Sequence, residues 1–412
     1  MGVESVTKQA MGNQPRLIKL VNSAKSLNLG SFVLLAYTLF IAGYFFIPNG
    51  VDLYKYYIVA VFLPGLVYSF RTFGLIGRSK LLLATLLCLA YLLSTSFWSQ
   101  GFSLNTLWYD TRLTAYIVGF LLLTVTIGIR AGGELETILK LICVAAAVSA
   151  LVSIAYWYWR HPFPESRLIS IGILDSPNHS SSIYGFFCLL SGYYGLQSTR
   201  PLNRVLYVSA AVVLLVFVFF TQSRTGILAT LFSFSLLAVF SFRHKKMVFG
   251  IAVLIGVLLV SLHLAYPVVL SRLNDMSVPN RLGIWRQALD LFIASPYFGQ
   301  GYQTTFQATL PGSSYIFHSA HNTFIATLRD GGLLGLGFYL YMLVVAIRVG
   351  LSELVKRGSS IYLLLLVFSF ICTSMSTDRL ITRPRELWII LWLPLALLVI
   401  REIRNSSGAA NR

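Results

Sequence analysis

The chain has 412 residues, is 56% hydrophobic and only 11% charged, and has a mean hydropathy of +0.74 with a net charge of +18. A soluble protein would carry about 25% charged residues, so a soluble globular enzyme is excluded, and apolar runs of about 20 residues are read as membrane spans. In such a chain a basic excess sets topology and meets lipid headgroups; no basic helix with interleaved aromatics, zinc knuckle or RNP-like motif points to nucleic acid.

Residues 1–412 are expected to form a single all-α integral membrane domain. The first 26 residues are polar and basic, with no cleavable signal peptide evident. About twelve transmembrane helices are predicted, at roughly 30–47, 53–70, 80–97, 112–129, 137–158, 181–197, 205–222, 224–241, 247–265, 322–347, 360–376 and 387–400. Cys88, Cys143, Cys188 and Cys372 each sit in a different apolar run and read as packing residues, with no metal spacing.

Every even-numbered gap is basic: Arg71, Arg78 and Lys80; Arg130 and Lys140; Arg200 and Arg204; Arg243, Lys245 and Lys246; Arg348, Lys356 and Arg357. The tail adds Arg401, Arg404 and Arg412. By the positive-inside rule those gaps and both termini are cytoplasmic. On the outer side only Lys55 of the nine lysines is found, together with about ten arginines: Arg112, Arg160, Arg167, Arg224, Arg272, Arg281, Arg286, Arg379, Arg383 and Arg385. Topology favours neither residue type. Arginine without lysine points to planar, bidentate recognition of phosphate or carboxylate, while the nearby acids Asp110, Glu165, Asp175, Asp275, Asp290, Asp378 and Glu386 would pair with part of the set.

The outer loop 160–181 carries Pro162, Pro164, Gly172 and Pro177, which mark an ordered loop, and offers Arg167, Asn178 and His179. The turn Thr221–Gly226 is too tight to wander and fixes Arg224 at the surface, unless Arg224 simply snorkels from a helix end. A large outer loop, 266–321, separates spans nine and ten. Within it Asn280 is a candidate N-cap, and 281–294 is amphipathic with Ile284, Trp285, Ala288, Leu289 and Phe292 on one face. That face predicts a helix lying on the membrane or packed over the spans, with Arg281 at its anion-favouring N-terminus. Gly299–Tyr302 is a turn, and Phe317–Asn322 brings two of the six histidines to the mouth of span ten. Arg329 and Asp330, just inside that span, must be paired and read as structural.

There is no P-loop, dinucleotide fingerprint, H-E-x-x-H or G-x-S-x-G, so no nucleotide, metal or cofactor is expected; His318 and His321 lack a carboxylate or cysteine nearby in sequence. What remains is histidine and arginine on the outer face. Histidine accepts a proton near neutral pH, and arginines hold a diphosphate and stabilise the charge that grows as it leaves. A lipid-linked diphosphate donor fits that location better than a cytosolic sugar nucleotide.

Four motifs resemble the O-antigen ligase / O-antigen polymerase superfamily over most of the chain. They are Arg167 with Gly172 and Pro177–Asn178; Ser223–Arg224–Thr225–Gly226; Arg281 with Trp285, Pro296, Gly299 and Gly301; and His318–Ser319–Ala320–His321–Asn322 followed by Thr323–Phe324. The resemblance implies a metal-independent, inverting glycosyltransferase on the periplasmic face of the bacterial inner membrane. In it His321 would be the catalytic base, and Arg224 and Arg281 would bind the donor diphosphate. Arg167, Arg286, His318, Asn322 and Asn178 are further substrate-binding candidates. Within the superfamily the ligase reading is favoured: O-antigen would move from undecaprenyl diphosphate to a lipid A–core sugar hydroxyl in lipopolysaccharide assembly, with membrane lipid as surroundings and no nucleotide. The alternatives are an O-antigen polymerase, a protein O-oligosaccharyltransferase or, in another class, a flippase for the same lipid. A flippase would place its arginines along a midplane cavity rather than on one side.

Overall fold

The computed structural model describes residues 28–163, 165–240, 278–311 and 315–410. Within them the chain forms helices α1 (Leu29–Phe46), α2 (Gly50–Ser69), α3 (Lys80–Ser94), α4 (Leu104–Arg130), α5 (Gly132–Tyr158) and α6 (Pro177–Gln197). They continue as α7 (Pro201–Phe220), α8 (Arg224–Phe240), α9 (Val278–Ala294), α10 (Thr323–Arg357), α11 (Ile361–Met375) and α12 (Leu393–Ala410). Seven of these helices are long and apolar enough to cross a membrane: α1 to α5, α7 and α10. Eleven of the expected spans fall on helices; the ninth, 247–265, and the first part of the 266–321 loop, with Arg272, lie outside the described residues.

Two helices form the centre. From Ser180 to Gly192 every residue of α6 is buried. The same holds for the run Leu387–Ile400 that leads into α12. Such all-round apolar stretches are shielded by neighbours. The outer helices instead show apolar residues to the outside, such as Leu35, Val59, Leu83, Leu141 and Val205, as a lipid-facing surface requires.

Helix α10 departs from the expected uninterrupted span. It is broken at Gly332, which takes φ +63°. The loop between α9 and α10 fills the break with its own backbone. Leu333 and Leu334 donate to the carbonyls of Pro296 and Tyr297 at 2.8 and 3.2 Å, while Gln300 and Gly301 donate to Arg329 and Asp330 carbonyls at 2.8 and 2.9 Å. Gly299 and Gly301 also have positive φ, and a Cβ on Gly299 would sit 2.5 Å from the Asp330 backbone. These glycines are therefore needed for close approach of two backbones.

The Arg329–Asp330 pair sits beside this junction. Arg329 is 1% exposed and donates to both Asp330 oxygens at 2.6 and 2.9 Å. Arg379 reaches the same carboxylate at 2.9 Å and donates to the Thr304 carbonyl at 2.6 Å. The guanidinium of Arg329 also lies over the Phe306 ring. One acid thus ties together α10, the long loop and the loop before α12, as the structural reading of the pair anticipated.

Two expectations about the amphipathic helix need correction. It already includes Val278, so Asn280 lies within the helix rather than capping it. Its buried face is Ile284 and Ala288, packed with Phe306, Ala308, Leu310 and Ala320, while Leu289 is exposed. Burial against the folded-back loop decides the face, through a two-residue bridge in which Ala308 and Phe317 exchange backbone hydrogen bonds of 2.9 Å.

Candidate active site

Three segments distant in sequence meet at one end of the bundle. The first is the start of α8. Ser223 caps it, its Oγ accepting from Gly226 N–H at 3.4 Å, and Arg224 is the first helical residue. Gly226 is required because a Cβ there would meet Ser181 of α6 at 2.3 Å. The tight packing of α8 on α6 therefore fixes where Arg224 emerges.

The loop before α6 supports this turn. Arg167 donates Nε to the Thr221 carbonyl at 3.1 Å and Nη2 to Asn178 Oδ1 at 3.2 Å. The same Asn178 oxygen accepts from Ser223 Oγ at 2.9 Å. Helix α6 begins at Pro177, capped by Ser176, so Asn178 and His179 stand in its first turn rather than in a loop. Arg167 and Asn178 thus brace the turn that carries Arg224.

The second segment is α9. Arg281 is half-buried in its first turn and donates Nη1 to the Met375 carbonyl at 2.7 Å. That partner is neutral, and among the described residues no carboxylate is in ion-pair distance of Arg281. Burial, and then the charge of Arg224, lower its pKa from the ordinary arginine value. Arg224 and Arg281 are therefore near neighbours. Two like charges held together disfavour each other, and an anion between them is attracted by both.

The third segment carries His321. Its backbone takes φ +49°; the only other described non-glycine residue with positive φ is Gln222, two residues before Arg224. Such a conformation costs about 1–2 kcal/mol, so surrounding contacts must enforce it. They do so from both sides. Trp285 Nε1 donates to the Ala320 carbonyl at 2.9 Å, and Asp378 accepts from Ala320 N–H at 3.2 Å. His321 N–H bonds Ser319 Oγ at 3.0 Å. Asn322 caps α10, accepting from Phe324 and Ile325 N–H at 2.9 and 3.2 Å, and Thr323 pairs with Thr377 at 2.7 Å.

The imidazole of His321 opens to solvent at the mouth of the site, but neighbours crowd it on the other sides. That partial desolvation, with the charges of Arg281 and His179, pulls its pKa below the usual histidine value. A neutral imidazole is a proton acceptor at pH 7. His179 behaves in the opposite sense. Burial pulls it down, but Glu386, 3.6 Å away, and Asp175, 3.1 Å away, outweigh that and raise it. Two histidines at one end of the bundle are thus driven apart, one toward the base and one toward the cation.

Two sequence candidates are not drawn in. Arg286 lies exposed on the outer face of α9, and His318 is exposed three residues before His321. Among the described residues, no group of three His, Cys, Asp or Glu side chains could hold a metal ion.

Residues 209–340 match the O-antigen ligase family. Over 378 residues the chain is 25% identical to an O-antigen ligase of Pseudomonas aeruginosa, covering 90% of this chain and 91% of that one. The resemblance read from the four motifs agrees with both findings. The matched O-antigen ligase region holds Arg224, Arg281 and His321 but stops before the loop that braces them, with Met375, Thr377 and Asp378. Those three positions were missed as site residues in the sequence, where Asp378 stood only among acids available for pairing. Two of them act through a backbone carbonyl or a hydroxyl, which leave no pattern in a sequence. The available signal was the crowding of Asp378 with Arg379, Arg383 and Arg385 on one short outer loop.

Proposed function

We propose that this chain is a metal-independent, inverting glycosyltransferase that transfers O-antigen from undecaprenyl diphosphate to a sugar hydroxyl of lipid A–core. The reaction takes place on the periplasmic face of the inner membrane, with both termini cytoplasmic and the 266–321 loop outside. The observation that carries the reading is the convergence of His321 with the start of α9, where Arg281 is held by the Met375 carbonyl at 2.7 Å and Trp285 bonds the Ala320 carbonyl at 2.9 Å, while Arg281 and Arg224 are close enough to influence each other's charge.

His321 accepts the proton of the acceptor hydroxyl as its oxygen attacks the anomeric carbon from the face opposite the diphosphate. The new C–O bond forms, the bond to the phosphate oxygen breaks, and the configuration inverts. The leaving undecaprenyl diphosphate gains one negative charge, which Arg224 and Arg281 stabilise. The proton then passes from His321 to solvent. General-base help of this kind is worth about 10²- to 10⁴-fold, and a charge-stabilising donor about 10²- to 10³-fold. The grouping of these cations at one end of the bundle favours group transfer over a flippase, which needs access from both sides.

The test is transfer by purified protein from undecaprenyl-diphosphate O-antigen to lipid A–core, with a chelator and no nucleotide, beside His321→Ala. Product from wild type alone is the expected result. Equal product from both removes His321 from the chemistry. Longer chains on the lipid carrier, with no ligated product, reassign the chain as a polymerase.

A further inference from the structure

The other end of the bundle contains a cavity of about 580 Å³. Helix direction places it opposite the candidate site. Helix α4 starts beside the long loop, where Gln303 bonds Asp110, and its last turn lines the cavity at Gly128. Helix α6 carries Asn178 and His179 in its first turn, and its far end lines the cavity with Tyr193, Tyr194 and Gln197. The first two turns of α5, α7 and α11 and the middle of α12 complete the wall.

Charge, aromatic rings and apolar surface are layered here. Lys140, Arg401 and Arg404 line the cavity against one lining acid, Glu136. Arg204, outside the lining, donates to the carbonyl of the lining residue Ser198 at 2.9 Å. The guanidinium groups are held in place. Arg401 donates Nε to the Tyr362 hydroxyl at 2.6 Å and sits 3.9 Å from the buried Glu353, and Arg404 donates to the Gly128 carbonyl. Each guanidinium has five N–H donors, so these bonds orient it without exhausting it. Tyr193, Tyr194, Tyr207 and Tyr362 ring the polar part, and Leu135, Leu139, Leu190 and Leu397 continue it inward. Tyrosines concentrate at headgroup depth, and basic pockets between spans take phosphate headgroups.

We propose that this cavity binds the phosphate headgroup of an anionic membrane lipid, with the acyl chains along the leucine-lined part. The volume suits a headgroup-sized ligand, since small-molecule sites run from about 300 to 1,000 Å³. The apolar wall separates a lipid from free phosphate as the natural source. The proposal is independent of the transfer reaction, because the cavity shares none of the residues of the His321 site.

The experiment is native mass spectrometry and thermal unfolding of the purified full chain with phosphatidylglycerol, phosphatidylethanolamine or inorganic phosphate. The wild type is expected to retain phosphatidylglycerol over phosphatidylethanolamine and to be stabilised by it, with little effect of phosphate. Lys140→Glu should lose that preference, by about ten-fold or more for a reversed charge at the headgroup. Lys140 is 36% exposed, pairs with Glu136 at 2.6 Å and lies 5.2 Å from the Tyr194 ring centre, so the variant should fold; unfolding without added lipid checks this. Arg404→Gln should weaken retention in the same direction. Equal retention of the two lipids, or unchanged preference in both variants, overturns the proposal. Stabilisation by phosphate equal to that by phosphatidylglycerol overturns the lipid as the source.

Discussion

Two arginine clusters lie close together at the same end of this bundle, and they are built differently. Around Asp330, arginine meets carboxylate: Arg329 and Arg379 share one buried acid, with bonds of 2.6 to 2.9 Å. Around His321, Arg281 meets a carbonyl and has Arg224 as a like-charged neighbour. The first arrangement closes its own charge and joins three chain segments. In the second, Arg281 and its like-charged neighbour Arg224 lie beside a histidine whose pKa is lowered. Arginines that look alike in sequence therefore differ in partner: Arg329 and Arg379 share the Asp330 carboxylate, whereas Arg281 donates to a backbone carbonyl beside His321.

The largest expected effect tests the frame. Asp330→Ala leaves Arg329 buried and unpaired, which costs about 3–5 kcal/mol of stability. Thermal unfolding in detergent should fall steeply, with loss of folded yield. If Asp330→Ala instead unfolds like wild type and only slows transfer, the two clusters are not distinct, and Asp330 belongs to the site.

Arg281→Gln tests the other side and should spare folding. Loss of one charge-stabilising donor slows transfer by about 10²-fold, or about 2.7 kcal/mol. The pH profile gives a sharper readout. The working base is neutral His321, so activity falls as pH drops through its pKa. In the wild type that acid limb should lie below the ordinary histidine value of about 6.5. Arg281 is one cause of the depression, so its removal lets the pKa rise and moves the acid limb of kcat/KM to higher pH. An acid limb that stays in place separates Arg281 from His321 and breaks the cluster.

Much of the fold was legible because lipid leaves one solution for each apolar run, and eleven expected spans within the described residues coincide with helices. Arg224, Arg281 and His321 were legible because each is a chemically distinct side chain next to a helix start. The break in α10 was not. Its cause is a loop from about thirty residues upstream whose carbonyls replace the helix's own, and Gly331–Gly332 reads locally as helix packing. The buried face of α9 was half-legible. Periodicity gave Ile284 and Ala288, but only the folded-back loop decided that Leu289 stays outside. Asn178 and Asn322 were read as candidate substrate contacts, and a second part of their roles was not legible: their side-chain oxygens brace a turn and cap a helix.

The smallest effect concerns how the base is held. The Trp285 indole N–H fixes the Ala320 carbonyl, one residue before the left-handed His321. Trp285→Phe keeps an aromatic ring in place and removes that single bond, worth about 1 kcal/mol. Stability should hardly move, because Asp378 still accepts the Ala320 N–H and Asn322 still caps α10. The imidazole, however, gains freedom to leave its orientation. A base that is misaligned part of the time lowers kcat by up to about five-fold with KM unchanged, since donor binding rests on Arg224 and Arg281. A rise in KM at constant kcat would place Trp285 in substrate binding instead. It would also mean that the strain at His321 is maintained by Ser319 and Asp378 alone.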